Sequence, residues 1–170
     1  MRASAFTLAT PPGSFAVLAR DDGAVLASGW TEDLAALSRL VRPAGDAPPR
    51  RRAVPDVARA VTAYFDGDLA AIDEVPVVQR SAPFREAVWA ALRATPPGRP
   101  ATYAELAARC GRPAAARAAG AACAANACAL FVPCHRARRG DGGLGGFLWG
   151  LRVKAGLLAH EAGYATNASS

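Results

Sequence analysis

The chain has 170 residues, enough for one large domain or two small ones sharing an interface. Hydrophobic residues make up 52%, many of them Ala, yet no apolar run reaches the roughly 18 residues of a membrane span. The N-terminus lacks a basic stretch leading into an apolar one, so neither a membrane span nor secretion is expected. Twenty basic residues against 14 acidic ones give a formal charge of +6, which permits a nucleic-acid partner. The basic residues are nearly all Arg, the better side chain for forked phosphate contacts. Heavy use of Arg, Ala, Gly and Pro equally fits a GC-rich genome.

Residues 1–78 read as a small α/β scaffold domain, an antiparallel sheet with helices. Ser4–Thr10 and Phe15–Arg20 alternate as strands around Pro11-Pro12-Gly13. Asp21-Asp22-Gly23 is a hairpin signal, and Ala24–Trp30 follows as a third strand. Thr31-Glu32-Asp33 starts a helix through about Val41, with Leu34, Leu37 and Leu40 on one face. Pro43–Arg52 reads as a loop whose Arg50-Arg51-Arg52 run is solvated. A helix from Pro55 to Phe65 and an extended piece, Val75–Val78, complete this half. It offers no set of groups that could do chemistry.

Residues 79–163 read as a mostly helical second domain, and 164–170 as a flexible tail. Ser81 is expected to cap a helix to Ala94, with Phe84, Val88, Trp89 and Leu92 as its apolar stripe. Thr102-Tyr103-Ala104-Glu105 is a capping box, opening a helix that ends at Cys110-Gly111. Pro113 suits the first position of a second helix, to about Ala125. Helix, short Gly turn, helix is the helix-turn-helix pattern. A helix that reads sequence needs several long polar side chains at base edges. This one has Arg117 in a field of methyl groups, so it reads either as a packed Ala-rich helix or as one that approaches a duplex closely and inserts a single wedge. Gly140–Gly145 formally matches GxGxxG, but more loop follows where a dinucleotide site needs a helix. A last helix runs from Leu151 to about Ala162.

The four cysteines are Cys110, Cys123, Cys128 and Cys134. They form no CxxC pair, and the first three read as small core residues. Leu130–Val132 reads as a short buried strand that Pro133 ends. Cys134-His135-Arg136 follows it. A thiol beside an imidazole and a guanidinium sits in an electropositive setting that favours the thiolate, against a free pKa of about 8.5. A buried structural Cys beside a surface His and Arg is the competing reading.

Several ordered motifs settle that choice. Phe84, Val88-Trp89, Pro97-Gly98, Thr102-Tyr103, Gly111-Arg112-Pro113, Arg117-Ala118, Asn126, Pro133-Cys134-His135-Arg136, Gly146-Phe147 and the Leu-Leu-Ala-His-Glu run ending at Glu161 all fall at fitting spacing. Together they resemble the O6-alkylguanine-DNA alkyltransferases, also called methylated-DNA–protein-cysteine methyltransferases. The resemblance covers about Phe84 to Glu161; the first half matches only in layout. It implies a ribonuclease H-like first domain and a winged-helix-like helix-turn-helix in the second. It implies direct-reversal DNA repair in a bacterial cytoplasm by a monomer on double-stranded DNA. An alkyl group, mainly methyl, passes irreversibly from guanine O6, and from thymine O4, to Cys134, with no cofactor and no metal.

The roles implied by resemblance are these. His135 is a water-mediated base for Cys134 and Glu161 orients it; the geometry expected for this is an extended segment with alternating side chains. Asn126 fixes the backbone around the Cys, and Tyr103 donates to guanine N3 as a general acid. Arg117 fills the gap left by the flipped base, on a helix in the minor groove, with Thr102, Ala118 and Arg136 also on DNA. Val132, Phe147 and Trp149 shape the pocket, the Val132 carbonyl reading the guanine amine. Phe147 stands where the family has Tyr, and Asn126-Ala127 replaces Asn-Pro. With bulky Leu148 and Trp149, a tight pocket preferring methyl over benzyl-like groups is expected. The alternatives are a non-catalytic alkylated-DNA-binding module of the alkyltransferase-like type, which lacks the reactive Cys, and a helix-turn-helix regulator. A Cys protease would need an oxyanion site and a cleft, to which nothing points.

Overall fold

Strand β1 (Ala3–Thr10) pairs antiparallel with β2 (Gly13–Arg20), from Ala3 opposite Arg20 to Thr10 opposite Gly13. The turn between them is Pro11-Pro12, two residues with no amide to leave unpaired, and Gly13 takes a φ of 147°. Asp21-Asp22-Gly23 then turns the chain into β3 (Val25–Gly29), as the hairpin signal indicated. The computed structural model describes residues 2–41 and 48–167. Part of the expected Pro43–Arg52 loop and residues 168–170 of the expected tail lie outside the described residues.

The sheet order is β3-β2-β1-β4, with β4 (Arg50–Arg51) parallel to β1. The sheet is therefore mixed rather than purely antiparallel, and two of the three arginines form an edge strand rather than a loop. Backbone pairing does not depend on side-chain charge, and an edge is where exposed charges are tolerated. Helix α1 (Leu34–Arg39) is shorter than expected. Asp33 caps it, accepting from the Ala36 amide at 2.9 Å, and of the three leucines only Leu37 is buried. Helix α2 (Pro55–Phe65) has the expected bounds and buries Val57, Val61 and Tyr64, spaced four and three apart.

Helix α3 (Pro83–Ala94) buries Val88, Trp89 and Leu92. Ser81 does not cap it: Ala82 holds the cap position before Pro83, and the Ser81 amide donates to Glu86 instead, at 2.8 Å. After β5 (Ala101–Thr102) comes α4 (Tyr103–Arg109), whose capping box is formed, with Glu105 N to Thr102 Oγ1 at 3.1 Å and Thr102 N to Glu105 Oε2 at 2.7 Å. Helix α5 (Ala116–Ala124) starts three residues later than Pro113 suggested, because Arg112 and Ala115 are held in a turn back to Ala107 and Arg112. Its cap residue, Ala115, has no side-chain acceptor, so packing of Ala119, Ala122 and Cys123 sets its start. Trp89 donates its indole N–H to the Ala122 carbonyl at 2.8 Å, tying α3 to α5. An unforeseen strand, β6 (Ala137–Arg138), pairs parallel with β5.

Helix α6 (Leu151–Asn167) continues into the segment expected to be a flexible tail. His160 and Tyr164 meet edge-on at 5.0 Å, and Ala165 packs where a Cβ on Gly98 would sit 2.6 Å away. None of the described helices is long and apolar enough to cross a membrane.

Two compact units result: Met1–Gln79 with Ala127–Phe131, and Arg80–Asn126 with Val132–Ser170. The expected split near residue 78 was contiguous, so five residues change sides. They belong to the first unit because they pair alongside β3 at Ser28: Ser28 N donates to Ala127 O at 2.8 Å, Ala129 N to Ser28 O at 3.2 Å, and Ser28 Oγ to Ala129 O at 2.7 Å. Phe131 reaches Phe15 at 6.3 Å between ring centroids. The expected strand Leu130–Val132 is instead a turn, with Leu130 at φ 73°. A short buried apolar run reads alike in either form.

Candidate active site

Cys134, His135 and Arg136 form one turn of 3-10 helix, closed by Arg136 N to Pro133 O at 2.9 Å. Successive side chains are thus about a third of a turn apart and do not alternate as in an extended segment. Cys134 faces a cavity. His135 and Arg136 both face Glu161 of α6. His135 Nε2 lies 2.7 Å from Glu161 Oε1. Arg136 donates Nε to both carboxylate oxygens, at 3.1 and 3.0 Å, Nη2 to Oε1 at 2.9 Å, and Nη1 to the Thr95 carbonyl at 2.8 Å. Arg136 is 1% exposed, which corrects its assignment as a DNA contact. Its planar fork matches the carboxylate, and that match holds it inside.

The three charges settle one another. Burial opposes ionisation of Glu161, but hydrogen bonds and charge from His135 and Arg136 outweigh it and hold the carboxyl at about 2. Burial pushes the His135 pKa below its usual value, against the pull of Glu161, so the ring is neutral. With a carboxylate on Nε2, that nitrogen carries the proton, and Nδ1 keeps its lone pair. Nδ1 is fully buried and, among the described residues, has no hydrogen-bond partner. Burial also raises the Cys134 pKa, more than the Asn126 hydrogen bond and the Lys154 charge lower it. The resting residue is therefore a thiol, where its neighbours in sequence had pointed to a thiolate. The adjacent Arg is spent on Glu161, and the adjacent His is neutral.

The cavity has a volume of about 390 Å³. Tyr103 of α4 and Gly120, Cys123 and Ala124 of α5 form one side, and the loop Gly146–Trp149 another, with Asn126 and Cys134. Phe147 and Trp149 line this cavity. Cys123, read as a core residue, lines the same cavity as Cys134; burial, and then the charge of Cys134, push its thiol to about 12. Burial raises the Tyr103 pKa, more than the Gly146 backbone lowers it, so the phenol keeps its proton. Gly145, at φ 72°, passes so close that a Cβ there would stand 2.2 Å from the Tyr103 oxygen. Val132 does not line the cavity, and its carbonyl is already filled, by Asn126 Nδ2 at 2.9 Å and Cys134 N at 2.8 Å. That corrects its expected role in reading a guanine amine. The Asn126 bond staples the ends of the Ala127–Phe131 excursion, so this side chain holds both the backbone and the thiol.

Arg117 is exposed on the first turn of α5, beside half-buried Ala118, and Thr102 is half-buried at the start of α4. Cys128 is buried against the Leu26 carbonyl and Cys110 lies at the end of α4, neither on the cavity. Among the described residues no group of three His, Cys, Asp or Glu is placed to hold a metal ion. A larger groove of about 550 Å³ in the first unit, lined by Asp22, Asp56, Asp68 and Glu74 among others, has neither Cys nor His in its wall.

Fold and site define a class: a cysteine thiol opening on a small cavity beside a pair of short helices. Residues 83–163 match the family described as 6-O-methylguanine DNA methyltransferase, DNA binding domain. A methylated-DNA–protein-cysteine methyltransferase of Salmonella typhimurium is 48% identical over 98 residues, 58% of this chain and 57% of that protein. One of Methanosarcina acetivorans is 40% identical over 106 residues, covering 62% of this chain and 67% of that one. The solved structure of Mycobacterium tuberculosis OGT in complex with DNA superposes with a TM-score of 0.79 at 29% identity, over 95% of this chain and 94% of that one. The chain belongs to the methylated-DNA–protein-cysteine methyltransferase family. The match spans a little over half the length of the Salmonella relative.

Proposed function

We propose that this protein repairs DNA by direct reversal, moving an alkyl group, mainly methyl, from guanine O6 (and from thymine O4) to Cys134, once per molecule. The observation that carries the reading is the Cys134 thiol on the cavity wall, next in the chain to a neutral His135 that Glu161 holds by Nε2. A water between the thiol and His135 Nδ1 relays the proton to the ring, and the resulting imidazolium is stabilised by Glu161. The sulfur then attacks the alkyl carbon. The carbon–O6 bond breaks, its electron pair passes into the purine, and Tyr103 donates its proton to N3. A thioether remains on Cys134, and guanine leaves restored.

The base reaches this cavity only outside the stack, at a cost of roughly a few kcal/mol. Arg117, on the exposed start of α5, enters the duplex in its place. The small side chains of α5 and its neighbour Ala118 suit close approach to a minor groove, with Thr102 beside them. The first unit is ribonuclease H-like, and the second is a winged helix-turn-helix in which β5 and β6 flank α4 and α5. A monomer acting in a bacterial cytoplasm completes the proposal. The cavity volume lies near the small end of the range of about 300–1,000 Å³ for ligand pockets, and Phe147 and Trp149 add rings to its wall. Methyl should therefore transfer faster than benzyl; equal rates would contradict that.

The test is a duplex bearing O6-methylguanine with a radiolabelled methyl group. One equivalent of label should move to the protein and then stop. Label that stays on the DNA at stoichiometric protein favours instead a binding module of the alkyltransferase-like type.

A further inference from the structure

Lys154 is the only lysine in a sequence with 20 basic residues, and it is fully buried on the first turn of α6. The mechanism above does not use it. Its ammonium donates to the carbonyls of Leu144 and of Gly146, the latter at 3.2 Å, and its amide donates to Gly150 O at 3.2 Å. Those carbonyls bracket Gly145, the residue pressed against Tyr103, and lead straight into the cavity wall at Phe147–Trp149. Among the described residues no carboxylate pairs with Lys154; the groups whose charge would favour its ammonium are the thiols Cys134 and Cys123.

A buried cation is normally paired with an anion. Here the carboxylate of the neighbourhood, Glu161, is taken by His135 and Arg136. The anion that would complete Lys154 is one that forms during the reaction. An Arg would be a poor substitute, because a compact ammonium, unlike a forked guanidinium, fits between two carbonyls and still acts as a point charge.

We propose that Lys154 is a positioning residue with two tasks: its N–H groups clamp the Leu144–Gly146 loop that shapes the cavity, and its fixed charge is the counter-ion for the Cys134 thiolate. The inference rests on Cys134 being the nucleophile. The other groups facing Cys134 are Asn126, which hydrogen-bonds the thiol, Cys123 from α5 and Tyr103 from α4, both neutral at pH 7, and the His135–Arg136–Glu161 cluster of its own turn and α6. Lys154 is thus the cation in this set that no carboxylate neutralises. When alkylation turns the thiolate into a neutral thioether, that counter-ion relationship ends.

The experiment follows the reaction of Cys134 with iodoacetamide, without DNA, as a function of pH, using the full chain and mapping the modified residue by mass. Lys154→Gln keeps N–H groups for the clamp but removes the charge; its pH midpoint should rise by about one unit, leaving it roughly tenfold slower near neutrality and recovering at high pH. Lys154→Met loses both tasks, so the same shift should come with a lower plateau and a matching loss of methyl transfer. Lys154→Arg keeps the charge, so its midpoint should stay at the wild-type value even if crowding lowers its plateau. A Lys154→Gln midpoint equal to wild type, or a loss of rate that is uniform in pH, overturns the charge assignment. So does a failure of both neutral variants to fold while Lys154→Arg folds, since that assigns the residue to the fold alone. A wild-type protein that reacts with iodoacetamide yet takes no methyl from DNA would defeat the proposed function and leave this inference standing.

Discussion

At the residue scale, Glu161 does more than orient His135. It is the shared anion of two buried partners, so removing its charge strands the Arg136 guanidinium and frees the His135 ring. Glu161→Gln should destabilise the protein by about 3 kcal/mol, as expected when one member of a buried ion pair is neutralised. Methyl transfer should fall by about a hundredfold, the usual contribution of a positioned acid–base group. Denaturant melts and single-turnover rates measure the two separately; unchanged values would remove Glu161 from the account. Cys134, His135, Asn126, Tyr103 and Glu161 were singled out in the sequence because their motifs fall at fixed spacing, and the fold sets Cys134, Asn126 and Tyr103 on one cavity and His135 against Glu161. The burial of Arg136 was not, since a guanidinium after Cys-His reads as a surface charge until its carboxylate partner, 25 residues on, is seen beside it. Lys154 left a faint signal, a lone Lys among arginines, but nothing local says that it is buried.

At the element scale, the loop from Leu144 to Trp149 is set by contacts on both flanks. Gly145→Ala adds a methyl 2.2 Å from the Tyr103 oxygen at a left-handed φ, so either Tyr103 or the loop must move. We expect a loss of about 1–3 kcal/mol in stability and a clear fall in methyl transfer. Gly140→Ala, with nothing within 4 Å of the new Cβ and away from the cavity wall, is the control and should be near neutral in both assays. Equal tolerance of the two changes would deny the close packing on Tyr103. On α5, Arg117→Ala should slow repair of duplex substrate more than reaction with the free modified base; an equal loss on both would refute insertion. Helix α2, opened by Pro55, and helix α4, opened by its capping box, were read with their bounds correct. A cap or a Pro was not enough elsewhere: α1 stops short despite Asp33, and α5 starts after Pro113 because no side chain caps it and packing fixes its start. The strand β6 and the turn at Leu130 were missed for the same reason: each depends on a partner distant in sequence.

At the scale of the whole molecule, acid sensitivity follows from the buried cluster. His135 has a lowered pKa in the fold, so its contribution is present above the unfolded value of 6.5 and is lost as pH falls below it. Glu161, lowered from 4.5 to about 2, adds a second loss between those values. The melting temperature should thus decline from neutrality downward, with a further drop below pH 4.5 that Glu161→Gln lacks; a flat profile from pH 7 to 3 would contradict the assigned charges. The first unit's main segment ends at Gln79, and the crossing of Ala127–Phe131 into it rests on hydrogen bonds to Ser28 that no local pattern encodes. The central claim is that Cys134 is both nucleophile and final acceptor. It is tested most directly by incubating the protein with a duplex containing O6-methylguanine and taking its intact mass, then mapping the change by peptide analysis. One added methylene on Cys134, absent in Cys134→Ala, is the predicted result. An unmodified Cys134 beside repaired DNA would contradict it.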